Sequence, residues 1–230
     1  MESYFDRTLA TIGQAAFDKL QQVRVILFGA GGVGGWCAEA LIRTGVTHLT
    51  IVDFDTVNPS NVNRQLVATR ANIGQLKVNE LRNRLLLINP DADISAQGIR
   101  YGYATDTLFD FNQYDYVIDA IDSVPDKAFL LYRATASTAI VFSSMGAGRK
   151  IDTSKIQVSE FRKVEGCPLA RALRAKMKKE ELFPKKKLLT VWSPELSADS
   201  GTIAPVVGVF GFTLADLVIR DVIATANQTR

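Results

Sequence analysis

Residues 23–35 read Val-Arg-Val-Ile-Leu-Phe-Gly-Ala-Gly-Gly-Val-Gly-Gly. A short β-branched, apolar run gives way to a glycine-rich turn. Consecutive apolar residues predict a strand buried on both faces, and the glycines predict a tight exit from it. A helical pattern follows over 34–45, with Trp36, Ala40 and Leu41 among its apolar positions and Gly45 as its stop. Strand, GxGxxG and helix in this order is the context in which that motif binds nucleotide. Gly29 makes the tight turn, Gly31 lets backbone approach a phosphate, and Gly34 allows helix and strand to pack closely. The helix N-terminus then offers free N–H donors to an anion.

Working outward, a helical pattern over 5–22 carries Leu9, Ile12, Ala16 and Leu20. Residues 49–55 predict a second strand. An amphipathic helix over 75–88 stops at Asn89-Pro90. A weaker strand signal at 92–99 precedes a clear strand at 114–122. Next come a helix at 125–137, a strand over 139–148 with a glycine-rich exit, and an antiparallel addition at 156–164. Alternating strands and helices predict an α/β fold: a Rossmann-like, doubly wound, mainly parallel sheet with antiparallel additions at its C-terminal edge. Ligands in such folds bind at the carboxyl ends of the strands. With no repeat or low-complexity linker, residues 1–230 form one domain.

The formal charge of the 230 residues is +3, too mild for a dedicated nucleic-acid binder if spread evenly. It is not spread evenly. Residues 162–190 hold ten Lys/Arg against Glu165, Glu180 and Glu181, a local net of +7 that leaves −4 for the remainder. The two cysteines, Cys37 and Cys167, form no CxxC pair, which argues against a disulfide framework or a cysteine-built zinc site. No secretory signal opens the chain, so a cytoplasmic setting is expected. Residues 202–219 approach membrane-spanning length, but Asp216 lies within them and Arg220 and Asp221 follow. A buried C-terminal helix, set against core or a subunit interface, is the expectation, with no stable membrane insertion.

Asp53 stands 19 residues after Gly34, at the end of the second strand. A carboxylate there can accept both ribose hydroxyls, as in NAD-binding proteins. The stretch that follows, Asp53-Phe54-Asp55-Thr56-Val57-Asn58-Pro59-Ser60-Asn61-Val62-Asn63-Arg64-Gln65, is polar and basic, and Lys77 comes a dozen residues later. Arg64 and Lys77 would converge on the phosphate side of the glycine turn. Added cations suit a triphosphate, and the charge that develops when its α-phosphate is attacked, better than a dinucleotide.

Four ordered motifs, GAGGVGG, D-F-D-x-V-x-x-S-N-x-x-R-Q, I-G-x-x-K and D-A-I-D-S, together resemble the E1-like adenylyltransferases over about residues 3–150. The resemblance implies ATP with Mg²⁺. Gly29, Gly31, Gly32 and Gly34 would lie at the phosphates and Asp53 on the ribose, with Asp55 and Gln65 in the same site. Asn61, Arg64 and Lys77 would contact phosphate, and Asp122 would hold the metal, with Asp119 as the alternative ligand. Arg7 looks like an N-terminal arginine that reaches the partner subunit's ATP, which implies a homodimer. Arg7, Arg64, Lys77 and Asp122 are thus the catalytic candidates.

Within that superfamily, the absence of CxxC pairs disfavours the zinc-bearing, sulfur-carrier-activating branch. Met145-Gly146-Ala147-Gly148-Arg149-Lys150-Ile151-Asp152, Ile156-Gln157-Val158, Pro168-Leu169-Ala170 and Ser193-x-Glu195 resemble the tRNA threonylcarbamoyladenosine dehydratases. That subfamily uses ATP to cyclise the threonylcarbamoyl group on adenosine 37 of tRNA. This chain departs from its pattern at Cys167, where Asp is expected, and is shorter after Glu195. The resemblance implies tRNA as partner and a protein partner of the sulfur-relay type, and leaves a place for a monovalent cation near the 145–152 turn. Arg171, Arg174, Lys178, Lys185, Lys186 and Lys187 are the candidate RNA contacts. Cyclisation needs no protein thiol, because the attacking atom belongs to the activated molecule. Cys167 is accordingly read as structural, with a nucleophile the alternative, and Cys37 as core. His48 has no assigned role. Two other functions stay open: activation of the C-terminus of a small ubiquitin-like or sulfur-carrier protein, and NAD-dependent oxidoreduction.

Overall fold

The computed structural model describes residues 4–197 and 200–227. Seven strands form a single sheet: β1 (Arg24–Phe28), β2 (His48–Val52), β3 (Asp93–Gln97), β4 (Tyr116–Asp119), β5 (Ile140–Ser144), β6 (Gln157–Glu160) and β7 (Leu189–Trp192). Their spatial order is β3-β2-β1-β4-β5-β7-β6, and only the β6–β7 pairing is antiparallel. The doubly wound, mainly parallel sheet with an antiparallel C-terminal edge is therefore the observed fold.

Side-chain alternation explains why both faces need cover. Val25 and Leu27 of β1 enter one core, and Ile26 and Phe28 enter the other. Helices α2 (Gln14–Gln22), α3 (Gly32–Thr44), α4 (Lys77–Ile88) and α7 (Ala204–Asn227) contribute Leu20, Leu41, Leu81 and Phe210 to the first core. Helices α5 (Val124–Thr135) and α6 (Pro168–Glu180) contribute Leu130 and Leu173 to the second.

Three differences from the sequence reading have physical causes. The helix expected over 5–22 is two helices, α1 (Asp6–Ile12) and α2, because Gly13 sits at φ 81° and breaks the path. Strand β7 was not expected, although Leu188-Leu189-Thr190-Val191-Trp192 after the lysine cluster is a short apolar and β-branched run, and it lies between β5 and β6. It runs parallel to β5 through Phe142↔Leu189 and antiparallel to β6 through Val158↔Val191. The strand expected over 156–164 is shorter, Gln157–Glu160, an edge strand held by β7, and Phe161–Lys163 turn away from it as a 3-10 helix. Apolar α7 lies against α3 so closely that a Cβ on Gly211 would come within 2.5 Å of the Val33 carbonyl oxygen. Asp221 on α7 accepts from the Tyr116 hydroxyl at 2.8 Å. The expected buried C-terminal helix is present, and no helix of the described residues is long and apolar enough to cross a membrane.

Candidate active site

Strand β1 has β2 on one side and β4 on the other, so the chain direction of connections reverses there and a crevice opens beyond the strand ends. The glycine turn fills its floor. Gly29, at φ 96°, packs so near β4 that a Cβ there would lie 2.7 Å from the Ala120 carbonyl oxygen. A Cβ on Gly34 would lie 1.8 Å from the Gly29 carbonyl oxygen. Gly31 instead faces open space, with nothing nearer its Cβ position than Gln65 Nε2 at 3.8 Å. Backbone at Gly31 and the N-terminus of α3 are left open to a ligand.

The crevice is a cavity of about 580 Å³, within the size range of small-molecule sites. It brings together Gly29, Gly31, Gly32, Asp53, Asp55, Asn61, Arg64, Gln65, Lys77 and Asp122. Gly34 does not line it. Its place is beneath the turn, where the missing side chain lets α3 approach Gly29, so its contribution is packing rather than contact.

Charge in this cavity is finely divided. Asp53 Oδ2 accepts from the Ala30 N–H at 2.7 Å and Oδ1 from the Asp55 N–H at 2.8 Å. Burial pushes the Asp53 carboxyl above the usual aspartate range, against those two donors and the charge of Lys77. Lys77, at the start of α4, is buried, and its ammonium lies 2.7 Å from Asp55 Oδ2. Arg64 is steadied by the Ser60 carbonyl at 2.8 Å and Asn63 Oδ1 at 3.0 Å. Asn61 caps a short 3-10 turn, accepting from the Asn58 N–H at 3.0 Å. Gln65 Oε1 is buried without a hydrogen-bond partner, an acceptor that a ligand donor or bound water would satisfy. That orphan, the open backbone at Gly31 and the two cations fit a nucleotide with its phosphates.

The two aspartates of Asp119-Ala120-Ile121-Asp122 separate clearly. Asp119 is fully buried, 2.7 Å from the equally buried Lys127 ammonium, and accepts from the Ser143 hydroxyl at 2.6 Å and the Ile121 N–H at 3.1 Å. Lys127 also donates to the Ile121 carbonyl at 2.9 Å. Asp119 is therefore committed to the fold, and the alternative of Asp119 as metal ligand is set aside. Asp122 is exposed on the cavity wall with no ion pair among the described residues.

Other residues at the site gave no signal in the sequence. Arg100 reaches the cavity from beyond β3, pairs with Asp126 at 2.9 Å and lies over the Phe54 ring at 5.5 Å. Thr202 and Val207 reach it from the C-terminal end of the chain. Near the 145–152 turn, the carbonyls of Ser193 and Glu195 accept from the buried Lys150 ammonium at 3.0 and 2.7 Å. A tethered cation thus occupies carbonyls near the turn where the sequence leaves a place for a monovalent ion.

Three expected features lie elsewhere. Arg7 is exposed on α1 and does not line the cavity of its own chain. Cys37 is buried on α3, where burial pushes its thiol far up. Cys167 is also buried, at the start of α6 within the second core. Among the described residues no cysteine lines the cavity.

Not every cation of the 162–190 stretch is displayed. Arg174 donates to the carbonyls of Phe161, at 3.1 Å, and Val164. Lys186 donates to those of Ser137, at 2.8 Å, and Ala139, and burial lowers its pKa. These two groups hold loops, a correction to their reading as open RNA contacts. Lys185 lies 4.9 Å from the centre of the Tyr132 ring. Arg171, Lys178 and Lys187 are exposed.

The model of the ThiF family matches residues 5–229, nearly the whole chain. This chain belongs to the ThiF family. As a ThiF family member it is 36% identical over 193 residues to a tRNA threonylcarbamoyladenosine dehydratase of Bacillus subtilis, covering 83% of this chain and 74% of that protein. The solved structure of Escherichia coli tRNA N6-threonylcarbamoyladenosine dehydratase in complex with ATP superposes with a TM-score of 0.91 at 31% identity, covering 99% of this chain and 96% of that one. The same enzyme in complex with AMP gives a TM-score of 0.91 at 32% identity.

Proposed function

We propose that this ThiF family member is an ATP-dependent tRNA threonylcarbamoyladenosine dehydratase. It would activate the carboxylate of the threonylcarbamoyl group on adenosine 37 by adenylation and close the ring within the same modified nucleoside. The observation that carries this reading is a cavity furnished for a nucleotide's phosphates that holds no thiol. Thioester-forming enzymes of the E1-like kind need a cysteine to carry the activated acyl group elsewhere, whereas a ring closure has its nucleophile already attached and needs none. A well-oriented intramolecular step gains roughly 7–11 kcal/mol over its bimolecular counterpart, so no covalent relay is required.

ATP supplies the α-phosphate to which the carboxylate oxygen is joined, with pyrophosphate and then AMP as the groups that depart. This chain's residues would do the rest. Backbone N–H groups around Gly31 and the start of α3 bind phosphate. Arg64 and Lys77 offset the charge that builds on it, and Asn61 and Gln65 orient it. Asp53, fixed by the Ala30 and Asp55 N–H groups, still has lone pairs for ribose hydroxyls. Asp122 is the carboxylate left to hold Mg²⁺ with the phosphates. Arg7 would act only from a partner subunit, which requires a homodimer. Lys150 would serve in place of a free monovalent cation near the 145–152 turn. The basic α6 region would receive tRNA, in a cytoplasmic enzyme that could also meet a sulfur-relay partner.

Pyrophosphate exchange into ATP tests the acceptor. Exchange should depend on tRNA carrying threonylcarbamoyladenosine and ignore unmodified tRNA. Exchange driven instead by a ubiquitin-like or sulfur-carrier protein would select that alternative. A thermal shift with NAD but not ATP–Mg²⁺ would select an oxidoreductase.

A further inference from the structure

A second concavity, of about 750 Å³, lies at the C-terminal half of α6, away from its N-terminus. Its apolar part comprises Phe161, Met177, Phe183 and Leu188, with Phe183 half-exposed just beyond the turn that ends α6. Six Lys/Arg side chains line it against the single carboxylate of Glu160. Arg174 and Lys186 are spent on backbone carbonyls, and Lys185 rests on the Tyr132 ring. Arg162, Lys178 and Lys187 keep ammonium or guanidinium groups with no ion pair among the described residues.

An apolar, aromatic floor under an unpaired cationic rim suits a planar apolar group bearing an anion. A nucleobase with its phosphate has that chemistry, and single-stranded nucleic acid is bound by this pairing of stacking and charge. Helix α6 ties the groove to the candidate active site. Leu169 lines the nucleotide cavity, whereas Met177 and Lys178 line the groove. Eight residues at the helical rise separate Leu169 and Met177 by about 12 Å along the axis.

We propose that this groove takes one unstacked nucleotide of the RNA loop whose modified adenosine reacts in the cavity, with the base on Phe183 and the phosphate among Lys178, Lys187 and Arg162. This rests on RNA being the substrate. It adds a specific subsite where charge alone would give only diffuse attraction. An acidic peptide could satisfy the rim but would leave the aromatic floor unused.

The test uses the whole protein and a fluorescently labelled, unmodified anticodon stem-loop RNA, with binding read by anisotropy across a salt series. Phe183→Ala should weaken binding by roughly tenfold without changing the salt slope. Phe183→Tyr should restore it. Lys187→Ala should lower the salt slope by about one. In turnover of modified tRNA, Phe183→Ala should raise KM by the factor lost in binding and leave kcat in place. Unchanged affinity and KM in Phe183→Ala, with unchanged melting temperature, would overturn the subsite while leaving the proposed reaction intact. Phe183-dependent binding of labelled poly-glutamate, with no binding of the RNA, would also overturn it. RNA binding that depends on Phe183 in a wild-type protein that releases no AMP would instead refute the reaction and keep the groove.

Discussion

Replacing Lys127 with Met removes one member of an ion pair in which both side chains are fully buried. The variant leaves the Asp119 carboxylate with only the Ser143 hydroxyl and the Ile121 N–H, and strips the Ile121 carbonyl of its lysine donor. Breaking a buried pair from one side costs about 3–5 kcal/mol, because the remaining charge has neither water nor a counter-ion. Against a typical domain stability of about 5–15 kcal/mol, that is a large fraction. Urea denaturation of wild type and Lys127→Met, followed by tryptophan fluorescence, measures it. The double variant Lys127→Met/Asp119→Leu should recover much of the loss, since it leaves no buried charge. The site should respond as well. Both the N–H and the carbonyl of Ile121 are tied to this pair, so the segment carrying Asp122 should lose its fixed position and Mg²⁺-dependent ATP affinity should fall in the single variant. A destabilisation below about 1 kcal/mol would show that the pair is hydrated or dispensable, and would refute the division of labour between Asp119 and Asp122.

Arg64→Ala should lower kcat by roughly 10²–10³-fold, the usual loss for one charge-stabilising donor, with little change in melting temperature. Single-turnover AMP release checks it. Gly34→Ala places a methyl group 1.8 Å from the Gly29 carbonyl oxygen, so calorimetry should show lost ATP binding together with a lowered melting temperature; ATP binding at wild-type strength would contradict the packing role. Lys150→Met strands the Ser193 and Glu195 carbonyls, at about 1–3 kcal/mol each, measurable by the same denaturation. The Glu195 carboxyl is held below its usual range by the Asp152 and Ile151 N–H groups. Its stabilising effect is therefore complete above the ordinary glutamate pKa and disappears as pH falls through the lowered value in the folded protein. Asp53 runs the other way, its raised pKa making ionisation a cost that is relieved as pH falls. Amide exchange at Ile151 and Asp152 should accelerate on acidification beyond its intrinsic chemistry, and Glu195→Gln should remove that extra dependence.

Strands β1, β2, β4 and β5 were legible because burial on both faces writes continuous apolar runs. The glycine exit of β1 and the aspartate exits of β2 and β4 mark the crevice for a different reason, because ligands bind beyond the carboxyl ends of the strands. Strand β7 was not legible. Its apolar, β-branched run is short, and its place between β5 and β6 is a tertiary fact that local pattern does not carry. The same limit applied to charge. The Lys/Arg cluster at 162–190 was visible as a sum, but which heads face solvent depends on distant carbonyls such as those of Ser137 and Phe161. Asp119 and Asp122 are both acids at a strand end in the sequence. Only the placement of Lys127 one helical turn into α5 makes the first a buried anchor and leaves the second to the cavity. Arg100, which reaches the site from an irregular segment after β3, had no motif around it.

Mass spectrometry of the nucleoside at position 37 shows whether this chain closes the ring. The protein, ATP and Mg²⁺ are incubated with tRNA carrying threonylcarbamoyladenosine, and the released AMP is counted in parallel. The modified nucleoside should lose the mass of one water, with one AMP and one pyrophosphate released for each nucleoside converted. AMP and pyrophosphate release with an unchanged nucleoside mass would contradict ring closure.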